Sequence, residues 1–137
     1  MSMHAAGTYE TTSWEENAYD EYGEGRKLTR AHVSAVFQGD IQGSSTQEYL
    51  MSYGTDAVQY IGMERVVGSL GGRSGSFVLQ HNGTAIGNRL SCDWNVVPGS
   101  GTDALAGLRG AGGYTWNGEE GQQAHYTLEY DFDDAAG

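Results

Sequence analysis

Apolar and polar residues alternate along most of the chain with a period of two. Stretches such as "RAHVSAVFQ" and "VQYIGMERVVGSL" also concentrate β-branched and aromatic side chains. This pattern predicts β-strands, because successive side chains of a strand point to opposite faces. About eight such stretches follow one another, and glycine-containing turn signals at 39–40, 71–72 and 87–88 separate several of them. The sequence therefore predicts an all-β protein whose strands are mostly joined as antiparallel hairpins.

The number of strands and the near absence of helical patterns determine the predicted architecture. At most one short helical turn is expected, at about 103–108. Without helices to cover a sheet face, eight strands must close on themselves or stack as two sheets. The 137 residues suffice for one core. We expect a single domain over residues 1–137, built as an antiparallel eight-stranded barrel.

The turns also predict which side chains share a face. The glycine pair after Leu70 predicts that Leu70 opposes Arg73, and the Gly-Asp pair after Gln38 predicts that Gln38 opposes Ile41. The turn after Ile86 aligns the next hairpin in the same way. These registers agree on one apolar inward face, which carries Val33, Phe37, Leu50, Val66, Phe77, Leu79, Trp94 and Val96.

Three polar residues share the predicted inward face: Glu48, Glu64 and His81. A carboxylate inside a barrel needs a partner or a shifted pKa, and both situations occur at structural and at functional sites. Glu64 can therefore be a structural partner of an arginine or tyrosine, or part of a ligand site. The same two roles are open to His81.

The predicted outward face is also partly apolar. It carries Tyr49, Met51, Ile61, Met63 and Val67. So much exposed apolar surface is unusual for a small monomer. We therefore expect a homo-oligomer.

Charge and cysteine content narrow the function classes. Eighteen acidic against seven basic residues give a formal net charge of −11, which disfavours nucleic acid and anionic membrane surfaces as partners. Cys92 is the only cysteine, and the first residues contain no apolar export signal, so we expect a cytoplasmic protein without an internal disulfide. His4, His32, His81 and Cys92 show no metal-ligand spacing, and we expect neither a metal nor a cofactor.

The segment "VVPGSGTDALAGLRGAGGY" at 96–114 has the glycine spacing of a dinucleotide-binding loop. That loop requires a long helix after the turn, whereas glycines end this one within about a turn. Asp103 would also place a carboxylate where a phosphate should bind. Nucleotide binding is therefore disfavoured.

The chain resembles the bacterial family known as domain of unknown function 3224. The resemblance rests on "GTYETTSW", "RKLTRAHVSAVFQGDIQGSSTQEYLMSY", "GMERVVGSLGGRSGSFVLQHNGT", "WNVVPGSGTDALAGLRGAGGY" and "YTLEYDF". It implies the barrel fold of allene oxide cyclase and the dirigent proteins, with the late glycines turning the chain at one end of the barrel. The chain departs from the family pattern at Asp103, where glycine is usual, and Asp103 would suit the N-cap of the short turn.

Two functions remain open. The first is a cofactor-independent isomerase or cyclase, in which an apolar lumen folds a small hydrophobic substrate and Glu64, Glu48 and His81 do the polar work. The candidate walls of this lumen are Tyr60, Phe77, Leu79, Trp94 and Trp116. The second is a carrier or binding barrel for a small hydrophobic ligand, without chemistry. A fully packed core that leaves function to the surface is a third, structural possibility.

Overall fold

The computed structural model describes residues 2–118 and 123–133 and has the predicted all-β architecture. Eight antiparallel strands form one closed barrel in which every strand pairs with its neighbours in chain order, and β1 pairs with β8. A 3-10 turn, Asp103–Leu105, precedes β7. The strands are β1 (Met3–Gly23), β2 (Arg26–Gly39), β3 (Ile41–Tyr53), β4 (Val58–Leu70), β5 (Arg73–Ile86), β6 (Arg89–Val96), β7 (Leu108–Asn117) and β8 (Gln123–Phe132).

Two of the three predicted hairpin registers are confirmed. Leu70 pairs with Arg73 at the tip of the β4–β5 hairpin, and Ile86 pairs with Arg89 at the tip of the next. The inward face of these strands follows directly. It includes the buried side chains Val66, Phe77, Leu79, Trp94 and Val96, together with Glu64 and His81.

The predicted register of β2 with β3 is wrong by one residue. Phe37 pairs with Gly43, whereas the predicted pairing of Gln38 with Ile41 would place Phe37 opposite Gln42. Gly39 adopts a left-handed φ of 106°, and the Asp40 carboxylate accepts a hydrogen bond from the backbone N–H of Ala6 at 2.9 Å. These contacts hold the wider turn.

A one-residue shift moves every side chain of a strand to the opposite face. Leu50 and Glu48 therefore lie outside the barrel, contrary to the prediction. Tyr49 and Met51, predicted to face outward, are buried inside it. Ser45 and Gln47 enter the interior with them.

One end of the barrel is closed by apolar side chains. The 3-10 turn places Leu105 in the interior, where it is fully buried with Ile41, Leu70 and Leu108. Asp103 is the first residue of the turn, with a φ of 55°, and Thr102 occupies the N-cap. The prediction of Asp103 as the N-cap is therefore wrong.

At the opposite end, β1 extends beyond its pairing with β8, so part of one edge of β1 has no partner strand among the described residues. Residues 3–10 pair with β8, whereas the rest of β1 pairs with β2. Half-buried Tyr53, Val58, Leu90 and Trp116 lie at this end, which we call the open end. In the described part of the chain, no helix has the length and apolar character needed to cross a membrane.

Candidate functional site

A buried ion pair lies in the middle of the barrel. Glu64 is on β4 and His81 on β5, and the pairing of His81 with Gly62 makes the two side chains diagonal neighbours on the inner face. His81 Nε2 lies 2.7 Å from Glu64 Oε1, and both side chains are fully inaccessible to solvent. The predictions that Glu64 and His81 face inward are confirmed in position.

Three side chains of β3 complete a polar network around this pair. Ser45 Oγ donates a 2.5 Å hydrogen bond to Glu64 Oε2, and Gln47 Nε2 donates to the same oxygen. The Tyr49 hydroxyl donates to Gln47 Oε1 at 2.7 Å and lies 3.3 Å from His81 Nδ1. Glu64, His81, Tyr49 and Gln47 thus form a closed ring of hydrogen bonds.

The β3 members of this ring are not among the site residues predicted from the sequence. Ser45, Gln47 and Tyr49 alternate with Thr46 and Glu48, so both faces of β3 carry polar residues and periodicity alone does not distinguish them. The signal that separates the faces is Ile41, since this buried residue shares the parity of the inward set. The length of a glycine-containing turn is not determined by its sequence, so the register predicted from the turn overrides this signal.

The network fixes the charge state of His81. Burial by itself lowers the pKa of His81, but the contacts with Cys92 and with the Glu64 carboxylate outweigh burial and raise that pKa to about 9. Cys92 Sγ lies 3.5 Å from His81 Nδ1. The raised pKa favours the protonated form of the His81 ring at neutral pH. Among the described residues, every buried side-chain nitrogen and oxygen has a hydrogen-bond partner.

Aromatic rings surround the pair. The His81 ring lies 5.3 Å from the Trp94 ring, 5.4 Å from Tyr49 and 5.8 Å from Tyr114, measured between centroids, and each contact is edge-to-face. Of the predicted wall residues, Tyr60, Phe77, Leu79 and Trp94 are buried in the core, and Trp116 packs half-buried against it.

The centre of the barrel is occupied by the protein's own side chains. Tyr9 contacts Phe37 and Tyr114 with ring centroids 5.4 and 4.9 Å apart. Wall glycines provide the space for such rings: a Cβ at Gly62 would overlap the Tyr49 ring, and one at Gly83 would overlap Tyr60. The ion pair is therefore enclosed by the protein's own side chains.

A second carboxylate is held at the open end. Glu16 accepts hydrogen bonds from Thr29 Oγ1 at 2.6 Å, from Trp14 Nε1 at 3.0 Å and from the Tyr53 hydroxyl. Partial burial raises the pKa of Glu16, but these three donors and the nearby Lys27 lower it by more, so the net shift is downward. Glu16 is therefore an anion at the rim of the barrel.

Glu48 lies away from this site. Its side chain is 44% exposed on the outer face, where it binds Arg30 Nε at 3.1 Å and His32 Nδ1. The hydrogen bonds from His32 and Arg30 lower the pKa of Glu48. The expectation that Glu48 works beside Glu64 is wrong in position, because the barrel wall separates them.

The described residues contain no group of three or more histidine, cysteine, aspartate or glutamate side chains that could hold a metal ion. The site is thus an ion pair in an aromatic and hydrogen-bonding surround. Chemically, it offers a base and an acid in contact with each other.

Comparison with known proteins places this barrel in a family. A family model described as a protein of unknown function, DUF3224, matches residues 5–130. The chain belongs to the DUF3224 family. A crystal structure of a DUF3224 protein with unknown function from Shewanella oneidensis MR-1 is 29% identical, with a TM-score of 0.81, and the alignment covers 97% of this chain and 99% of that one. Among curated proteins, none matches the chain.

Proposed function

We propose that this DUF3224 protein is a cofactor-independent isomerase or cyclase that acts on a small hydrophobic substrate. Glu64 is the proton acceptor and His81 the proton donor. The observation that carries the proposal is the fully buried Glu64–His81 ion pair. The resemblance to the barrels of allene oxide cyclase and the dirigent proteins supports the same class of activity.

Stability alone gives little reason for such a pair. Taking two charges out of water costs several kcal/mol per ion, and well-packed apolar residues are often as stable or more so in the same place. Here the pair also requires Ser45, Gln47 and Tyr49 in the interior of a small barrel. A proton-transfer role accounts for this concentration of polar groups.

The charge state suits a proton shift. Glu64 takes a proton from a substrate carbon, and His81 delivers its Nε2 proton to another atom of the substrate. The protonated carboxyl of Glu64 then returns a proton to neutral His81 across 2.7 Å, which restores the ion pair without net proton loss. The network holds both groups in place for this exchange.

Access to the pair runs through the open end. Tyr60 and Met51 are buried there beneath the half-buried side chains of Tyr53, Val58 and Trp116. An apolar substrate packs against this aromatic rim and reaches the pair when Tyr60 moves aside. The apolar rim suits a hydrophobic molecule.

The second candidate is a carrier without chemistry. This candidate is favoured because every described buried side-chain nitrogen and oxygen already has a hydrogen-bond partner. Such a fully paired network is also what a purely structural role would require. A carrier binds its ligand at the open end and leaves the ion pair undisturbed.

One experiment separates the two functions. The wild type, Glu64→Gln and the exposed control Glu48→Gln are purified from cells, and the bound small molecules are extracted and analysed by chromatography and mass spectrometry. For an isomerase, Glu64→Gln retains a compound of the same mass as the wild-type compound but with a different retention time, and Glu48→Gln matches the wild type. For a carrier, all three proteins yield the same compound. The absence of a bound apolar compound from every protein contradicts both functions.

A further inference from the structure

The outer face of β3 and β4 carries an apolar groove. Leu50, Ile61 and Met63 are 48%, 56% and 49% exposed, and Leu50 lies directly opposite Ile61 in the strand pairing. They line a groove of about 430 Å³, floored by Gly62 and bordered by Arg30. Leu50 and Ile61 also line a second groove of about 240 Å³.

The same face is almost free of acidic residues, although the chain carries eighteen. Every outward position of β3, β4 and β5 is described, and only Glu48 among them is acidic. By strand parity, the outward residues are Gln42, Ser44, Thr46, Glu48, Leu50 and Ser52 on β3, Gln59, Ile61, Met63, Arg65, Val67 and Ser69 on β4, and Ser74, Ser76, Val78, Gln80, Asn82, Thr84 and, at the tip of the β5–β6 hairpin, Ile86 on β5. Arg30 and His32 bind Glu48, so the groove has no net negative charge.

Four of the eighteen acidic residues lie instead at a strand edge, where association would be harmful. Residues 11–23 of β1 pair with β2, and no pairing of their other edge is found among the described residues. A free strand edge is a template for aggregation, and charged side chains are a common protection. Glu15, Glu16, Asp20 and Glu21 lie on this edge.

We propose that the outer β3–β4 face binds the same face of a second copy of the chain, forming a twofold homodimer. Each copy carries a net charge of −11, so two copies repel each other over most of their surfaces. A stable contact must therefore use a face without an excess of acidic residues. This face combines that property with exposed apolar area. A cationic partner would instead favour an acidic surface, which makes a second copy the better match.

The test compares two isoleucines of similar exposure. Ile61, in the groove, is 56% exposed, and Ile86, at the β5–β6 hairpin, is 59% exposed. Multi-angle light scattering at micromolar concentration should give twice the 14.7 kDa chain mass for the wild type and for Ile86→Glu, but one chain mass for Ile61→Glu and for Met63→Glu. Circular dichroism checks that each variant is folded.

Salt provides a second readout. Because the rest of the surface repels, added salt should strengthen dimerisation by screening that repulsion. A monomeric wild type at micromolar concentration, a mass other than that of a dimer, or a folded Ile61→Glu that remains dimeric would overturn the proposal. A monomeric wild type that gains mass in cell lysate through the same face points to a different protein partner and equally overturns it.

Discussion

At the scale of single residues, His81 differs from the exposed histidines by its surroundings. His4 and His32 pair with surface glutamates, whereas His81 is sealed between Glu64, Tyr49 and Cys92. Its charge is therefore part of the folded state. Proton uptake by this one ring links the stability of the barrel to pH.

We predict that stability falls as the pH rises from 6.5 to 9.5. Because folding raises the pKa of His81 from 6.5 to about 9, the stabilisation is fully present below pH 6.5 and is lost as the pH passes through 9. The expected loss in the free energy of unfolding is roughly 3 kcal/mol. Urea unfolding, followed by tryptophan fluorescence, measures it. The control His32→Gln should keep the slope, and a wild type whose stability is constant over this range would refute the assignment.

Removing the counter-ion should act in a pH-dependent way. Glu64→Gln leaves the imidazolium without its partner, which costs about 3–5 kcal/mol at pH 6.5 for a broken buried pair. The difference from the wild type should shrink at pH 9.5, where wild-type His81 also loses its proton. Glu48→Gln should stay within about 0.5 kcal/mol of the wild type at pH 6.5. Equal losses for Glu64→Gln at both pH values would argue against an ion pair.

At the scale of elements, turn length decides what each strand contributes to the interior. The turns after Leu70 and Ile86 are two-residue turns, and their sequence predicts the inward positions of Glu64 and His81 correctly. The turn after Gln38 holds one residue more, because Asp40 bonds across to β1. That contact joins residues distant in sequence, and local turn preferences do not contain it. For this reason, local turn preferences alone do not predict the β3 half of the site.

The packing of rings on wall glycines should be sensitive to a single methyl group. Gly83→Ala places a Cβ inside the Tyr60 ring, so Tyr60 must move, and we expect a loss of about 1–3 kcal/mol. Gly23→Ala is the matched control, since the nearest atom to its Cβ would lie 3.7 Å away. Thermal unfolding of both variants measures the effect. Equal melting temperatures would contradict the packing described here.

The 3-10 turn should act as a structural closure of its end of the barrel. Leu105 is fully buried, and Leu105→Ala leaves a cavity that costs about 2–5 kcal/mol. If the ligand enters at the opposite end, as proposed, this variant should still bind the extracted compound with wild-type affinity at a temperature where it is folded. Isothermal titration measures that affinity. A loss of binding would indicate that the ligand enters at the end closed by the 3-10 turn, contrary to the proposal.

At the scale of the whole molecule, the barrel separates three surfaces with different properties. The interior holds the ion pair, the β3–β4 outer face is apolar without acidic excess, and the β1 extension is strongly acidic. Periodicity and turn signals predict the closed barrel, because eight alternating strands without helices have few other arrangements. They do not predict the ring of hydrogen bonds, which depends on contacts among three strands.

Solvent deuterium incorporation tests proton transfer by Glu64 and His81 most directly. The compound retained by Glu64→Gln is incubated in D₂O with a stoichiometric amount of protein already equilibrated in D₂O, and its mass is followed over time. His81 then carries deuterium, so the wild type and Glu48→Gln should transfer one deuterium to the compound, whereas Glu64→Gln should transfer none. Absence of deuterium from the compound with the wild type, or equal incorporation with Glu64→Gln, would contradict a catalytic role for the ion pair.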